Sequence, residues 1–258
     1  MTDSPGEKRP FNPDLAQAHL ALAEIAMPGE DYLAWLERIY RELKPDTVIE
    51  IGVYRGASLA LIRPPAIAIG IDPNPRICHT LRTETHIFAE TSDEFFAKRR
   101  ADKFLADRPL SIGFVDGLHL YEQALKDFIN LEFCCGPQSV ILLHDTVPFD
   151  ERTQTRAQET QFHTGDVWKT VLSLKHYRPD LDILTIATSP TGLTVVMGLN
   201  PRSRVLAERY EEAVTRFIDT PFSAIEGRLD GELNIVPNDW RAVAKRLQAH
   251  GIIKDSVH

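Results

Sequence analysis

Cysteine is scarce in this chain. Cys78, Cys134 and Cys135 are the only thiols among 258 residues, too few for a disulfide framework. The adjacent pair lacks the CxxC spacing of a metal or redox motif. That usage fits a reducing, cytoplasmic setting. Long apolar runs are missing, and none approaches the ~18 residues of a membrane-spanning helix. The opening MTDSPGEKRPFNPD is polar and holds three prolines, without the apolar stretch of a secretory signal. Positive charge is in deficit: 29 lysines and arginines face 37 aspartates and glutamates, a formal charge of -8. A mainly electrostatic grip on nucleic acid or an anionic membrane is therefore disfavoured. GxSxG is absent, which disfavours a common hydrolase route.

What is present reads as a folded α/β protein. Hydrophobic residues make up 43% and charged residues 26% of the chain, enough for a sizeable core. Residues 1 to about 12 are expected to form a flexible arm. Helices are expected over 14–26 and 31–43, the second capped by Asp31 and carrying Tyr32, Leu33, Trp35, Leu36, Ile39, Tyr40 and Leu43 at helical spacing. Five dense apolar runs then alternate with helical segments: TVIEI at 47–51, AIAIGI at 66–71, a weaker run at 85–89, LSIGFV at 110–115 and SVILL at 139–143. The helical segments are read at 56–61, 76–82, 92–103 and 120–133. Continuous rather than alternating hydrophobicity is what a parallel sheet covered on both faces requires. A polar stretch at 147–164 has no credible core strand and reads as a surface excursion or a lid. A helix at 166–177 and a closing hairpin at 181–197 follow, giving the sheet an antiparallel edge. Two more helices are read at 204–218 and 238–249. The division is an N-terminal arm with helices at 1–44, a Rossmann-like unit at 45–200 and a helical extension at 201–258.

The first strand runs into Glu50-Ile51-Gly52-Val53-Tyr54-Arg55-Gly56. Two glycines permit a tight strand-to-helix turn with bare backbone open to a ligand, and amides at a helix start favour a negative group. Asp72 follows Gly52 by twenty residues at the tip of the second run, where a carboxylate can accept from a ribose diol. The spacing is GxxxG, neither the GxGxxG of dinucleotide sites nor a phosphate loop with GK[ST]. It suggests a nucleoside ligand without a diphosphate. Two glycines in an ordinary turn are the plainer account of the pair taken alone.

These features, with VDGLHLYEQALKDF at 115–128 and SVILLHD at 139–145, resemble the class I S-adenosylmethionine-dependent methyltransferases, and within them the small-molecule O-methyltransferase branch. The resemblance spans roughly 45–198. It implies a Rossmann-like sheet of seven strands, mostly parallel with the last antiparallel, and helices on both faces. It implies that Glu50, Gly52 and Gly56 line the methionine part of S-adenosylmethionine, that Asp72 binds the ribose, and that Thr91, Ser92 and Asp93 lie on the adenine side.

Four polar residues follow apolar strands: Asp116 and His119 after the fourth, His144 and Asp145 at the end of the fifth. Neighbouring parallel strands present their carboxyl ends to one crevice. Asp116 could simply cap a helix, and His119 could sit satisfied above one. Two chemistries fit. Asp116 and Asp145, with His144 or His119 helping, could hold a divalent cation that grips a substrate hydroxyl, the favoured set being Asp116, His144 and Asp145. Metal-dependent relatives carry an acidic pair at the fifth strand, where this chain has His-Asp. An imidazole is softer than Mg²⁺ prefers and admits Mn²⁺, Zn²⁺ or Fe²⁺. In the other, His144 or His119 is a general base oriented by a carboxylate.

Weaker signals are read more plainly. Glu122 and Lys126 suggest a solvated i, i+4 pair. Trp168 reads as core or as a substrate wall, His163 as an exposed loop histidine or one that enters a closed site, and the cysteine pair as small hydrophobes at a helix end. The reading is a methyltransferase acting on a hydroxyl of a small molecule such as a sugar or secondary metabolite, binding neither nucleic acid nor membrane. The terminal helices offer a homodimer contact. The rivals are a nucleotide-dependent oxidoreductase and a non-catalytic nucleoside-binding or scaffold protein.

Overall fold

A computed structural model describes residues 13–105, 108–158 and 162–254. The expected arm at 1–12 lies outside the described residues. The elements in chain order are α1 (Pro13–Ala26), α2 (Tyr32–Leu43), β1 (Thr47–Ile51), β2 (Ile67–Ile71), β3 (Glu84–Phe88), α3 (Ser92–Ala97), α4 (Arg100–Leu105), β4 (Leu110–Val115), α5 (Tyr121–Glu132), β5 (Cys135–His144), α6 (Trp168–Tyr177), β6 (Asp182–Ile186), β7 (Leu193–Met197), α7 (Val205–Glu208), α8 (Tyr210–Phe217), α9 (Leu229–Glu232), β8 (Ile235–Val236) and α10 (Trp240–Ala249).

The strands form one sheet in the order β3-β2-β1-β4-β5-β7-β6-β8. Strands β1 to β5 pair in parallel. β7 runs antiparallel to both β5 and β6. The seven-strand expectation is corrected to eight, because Ile235 and Val236 add a short parallel strand outside β6. The Asn234 and Val236 carbonyls accept from the edge amides of Thr185 and Ala187, which an irregular 219–237 segment was not expected to cover.

Period-two alternation splits each central strand between two cores. Ile49, Ile51, Ile141 and Leu143 face α5 and α6, with Phe128, Trp168 and Leu174. Val48, Ile112, Phe114, Val140 and Leu142 face α2 and α10, with Trp35, Leu36, Ile39 and Leu247. Burying one such side chain contributes about 1.5–3 kcal/mol, so both faces need their helices. Asp31 caps α2 by accepting from the Ala34 amide at 2.8 Å, and left-handed Lys44 ends it.

Several expected elements differ. The helix at 56–61 shrinks to a 3₁₀ turn at Leu59–Leu61, and none forms at 76–82, where the chain runs irregularly into β3. The expected 92–103 helix breaks at left-handed Arg99, and 204–218 breaks at Arg209. Gly136 and Pro137 lie within β5 rather than ending an element, and Cys135 begins that strand, fully enclosed. Trp168 is core, its indole donating to Gln154 at 3.3 Å. That removes it as a substrate wall.

Candidate active site

Order reverses between β2 and β4 on either side of β1, and a crevice opens above the carboxyl ends of such strands. At the β1 tip, Gly52 has φ +89 and Gly56 φ +78. A Cβ on Gly52 would stand 2.0 Å from the Asp116 carbonyl oxygen. Only glycine lets the β1 and β4 turns approach this closely. Asp72 accepts from the amides of Val53 at 3.0 Å and Tyr54 at 2.7 Å, and from Asn74 at 2.7 Å. It therefore braces the glycine turn.

Glu50 is wholly buried. Its Oε1 accepts from Ser58 at 2.5 Å, while Oε2 has no partner. Burial pushes its carboxyl well above the usual range, against the lowering effect of Ser58. Thr91 caps α3 in a reciprocal pair with Glu94. Ser92 accepts from Gln123 at 3.2 Å and Asp93 binds Lys126 at 2.6 Å. The expected Glu122–Lys126 pair is thus corrected: Lys126 serves Asp93, and Glu122 takes Arg156 at 2.5 Å. Sequence reading missed Tyr54, Ile77 and Leu118, large apolar side chains that are 57%, 36% and 66% exposed around these turns. No periodicity marks them, because they lie in turns.

The four strand-tip residues do converge. His144 Nδ1 lies 3.1 Å from Asp116 Oδ1 and 3.4 Å from Asp145 Oδ2. His119 Nε2 lies 3.0 Å from Asp145 Oδ2 and 3.6 Å from Asp116 Oδ1. One donor atom each from Asp116, His144 and Asp145 falls within 4.8 Å of the others. A cavity of about 10 Å³, lined also by Ala124, Asp127 and Val167, borders them, close to the room for a single water. His119 and Asp145 both take left-handed backbone, φ 57 in each case. Such strain in non-glycine residues gathers where surrounding structure fixes a site.

Electrostatics follows from that closeness. Burial alone would lower His144, but Asp145 and Asp116 outweigh it and hold it at about 10. His119 is likewise driven well up by the same two carboxylates against burial. Burial would raise both acids, yet His144 and His119 hold Asp116 low and Asp145 far below the carboxylate range.

Two further groups close the site. Tyr32, from the first turn of α2, stacks on His144 with ring centroids 4.1 Å apart. Thr191, in the β6–β7 turn, donates to Asp145 at 2.6 Å and sits 3.3 Å from His144 Nε2. His163 is half-buried rather than exposed, and its ring lies parallel to that of His119 at 5.8 Å. Its Nε2 donates to the Thr155 carbonyl at 2.7 Å, and burial lowers its pKa. Tyr32 and Thr191 come from segments far away in sequence, so no local pattern marks them.

Residues 49–146 match the family model of the methyltransferase domain. No curated protein matches the chain. Similar solved structures include a putative O-methyltransferase from Klebsiella pneumoniae, at 12% identity over 74% of this chain and 92% of that one, TM-score 0.46. Another is an O-methyltransferase from Bacillus cereus in complex with S-adenosylhomocysteine, at 12% identity over 73% and 91%, TM-score 0.44. A third is the O-methyltransferase TomG of tomaymycin synthesis from Streptomyces achromogenes in complex with S-adenosylmethionine, at 14% identity over 74% and 92%, TM-score 0.46. Over residues 49–146, well under half of its length, the chain is similar to the methyltransferase domain.

Proposed function

We propose that the chain transfers the methyl group of S-adenosylmethionine to a hydroxyl of a small molecule, such as a sugar or secondary metabolite. The observation that carries this reading is the convergence of Asp116, His119, His144 and Asp145 beside the glycine turn at the β1 tip. The methionine end of the cofactor would lie along Glu50, Gly52 and Gly56. The unpartnered Oε2 of Glu50 is a buried acceptor suited to an ammonium group. Asp72 would take the ribose hydroxyls. Thr91, Ser92 and Asp93, with exposed Ile77 and Leu118, would border the adenine.

In the reaction an oxygen–methyl bond forms as the sulfur–methyl bond breaks, and the hydroxyl proton must leave. A divalent cation held by Asp116, His144 and Asp145 would lower the pKa of the bound hydroxyl. The donor set fits one, since its atoms are close, largely shielded and of both nitrogen and carboxylate type. The cation reading weighs against His144 as base, because with Nε2–H directed at Thr191 and Nδ1 given to the cation it would have no lone pair left. His163 is the neighbouring imidazole whose pKa falls. With Nε2–H committed to Thr155, its Nδ1 is left as an acceptor. Tyr32 over His144 and His163 over His119 would shield the site from water, and alignment of the reacting atoms would supply much of the remaining rate.

The partner is a small acceptor, without nucleic acid or membrane, in a cytoplasmic protein whose three thiols are unpaired. The helices at 201–258 are proposed to pack as an extension of the catalytic unit and to offer a homodimer contact. Calorimetric titration with S-adenosylhomocysteine, with and without Mn²⁺, beside NADH, tests the reading. Micromolar binding of the former alone supports it, followed by an acceptor screen in which Asp145→Asn abolishes turnover. Absence of S-adenosylhomocysteine binding by folded protein would overturn it in favour of an oxidoreductase or a nucleoside-binding scaffold.

A further inference from the structure

Hydrogen-bond accounting around the two imidazoles leads beyond the three-residue cluster. His119 Nδ1 lies 3.0 Å from the carbonyl oxygen of His163. A carbonyl only accepts, so Nδ1 carries the proton and donates. The neutral ring then presents an Nε2 lone pair to Asp145 and Asp116. Thr191 commits its hydroxyl proton to Asp145. Toward His144 Nε2 it can only accept, so His144 presents its Nδ1 lone pair to the same two carboxylates. Both rings have their outer nitrogen tied to an acceptor and their inner nitrogen aimed at anionic oxygens. Histidine ligands of metal ions are oriented in this way by the partners of their second nitrogen.

The distances agree. Donor atoms bound to one first-row ion at ~2.1 Å stand about 3.0–3.4 Å apart along the edges of its shell. Here nitrogen and oxygen alternate around a ring with neighbouring separations of 3.1, 3.4, 3.0 and 3.6 Å, with His119 on the outer side of the three donors that all lie within 4.8 Å of one another.

The position of His119 is fixed from outside the ring. A Cβ on Gly165, at φ +56, would meet the His119 carbonyl oxygen at 1.8 Å. Asp166 accepts from the Tyr121 amide at 2.8 Å, and Arg156 and Lys169 hold Asp166 in turn. The 163–166 segment is thereby clamped against 119–121.

We infer that His119 is the fourth donor of a site with two imidazoles and two carboxylates, and that this site takes a first-row transition ion in preference to Mg²⁺. The inference rests on the cation reading of Asp116, His144 and Asp145. Mg²⁺ favours an all-oxygen shell that retains water, whereas imidazole suits Mn²⁺, Fe²⁺, Co²⁺ and Zn²⁺.

Co²⁺ is the probe, added to full-length protein stripped with a chelator. One equivalent is expected to bind, with a visible d–d spectrum that survives about a thousandfold excess of Mg²⁺. X-ray absorption at the cobalt edge is expected to show two imidazoles. His119→Gln, with its fold checked by melting in chelator, is expected to bind Co²⁺ at least about tenfold more weakly and to show one imidazole. A single imidazole in the wild type, or displacement of Co²⁺ by Mg²⁺, would overturn the inference while the three-residue cation reading stands. The X-ray result on the wild type decides the matter even if the variant fails to fold. No Co²⁺ on protein that still binds S-adenosylhomocysteine would bring down the cation reading itself, and this inference with it.

Discussion

A Cβ on Gly165 would stand 1.8 Å from the carbonyl oxygen of His119. The two residues are 46 positions apart, and their backbones touch where residues 163–165 lie against the turn after β4. Gly165→Ala meets left-handed backbone at φ +56 as well as this collision. The backbone term alone costs about 1–2 kcal/mol, and the collision adds to it. Denaturant melts are expected to show at least that loss, together with a shift in the His119 ring resonances. Wild-type stability in the alanine variant would refute the contact.

Asp72 braces the glycine turn through the amides of Val53 and Tyr54. Asp72→Ala leaves those amides without their acceptor, a loss of about 1–3 kcal/mol where the groups are shielded from water. S-adenosylhomocysteine affinity is expected to fall at the same time. Calorimetry that finds affinity intact would place the ribose elsewhere.

Burial raises the folded-state pKa of Glu50. A raised carboxyl contributes its full stability below its unfolded pKa of ~4.3 and loses it as pH rises toward the folded value, at about 1.4 kcal/mol per unit crossed. Glu50→Gln removes that ionisation. Between pH 5 and neutrality, an interval of about 2 units, wild type should lose stability relative to the glutamine variant. Parallel pH curves for the two would show that Glu50 is charged in the folded chain.

Arg178 is buried and reaches Glu132 at 2.7 Å and Asp180 at 2.8 Å, far along the chain from the glycine turn. Arg178→Ala strands a buried Glu132, which costs about 3–5 kcal/mol. A thermal scan measures the loss. S-adenosylhomocysteine affinity at a temperature where the variant remains folded should match wild type.

Much of this architecture was legible beforehand. Dense runs such as TVIEI and SVILL identify strands buried on both faces, and Asp31 announces the start of α2. The 76–82 helix failed because its apolar residues are too few to hold it. Ile77 remains exposed beside Gly56, and the turn between β2 and β3 suffices without a helix. β8 was invisible, since two residues carry no periodicity and their strand character comes from the free edge of β6.

The site divides in the same way. Sequence alone determined which residues end the strands, because a strand buried on both faces must be apolar until it leaves the sheet. Asp116, His144 and Asp145 therefore had to cluster at neighbouring tips. Only the tertiary structure decided how those side chains are oriented. The His163 carbonyl, the Thr191 hydroxyl and the Tyr32 ring arrive from segments distant in sequence. Hydrogen bonds of about 3 Å depend on where those backbones cross, which no local pattern of residues encodes.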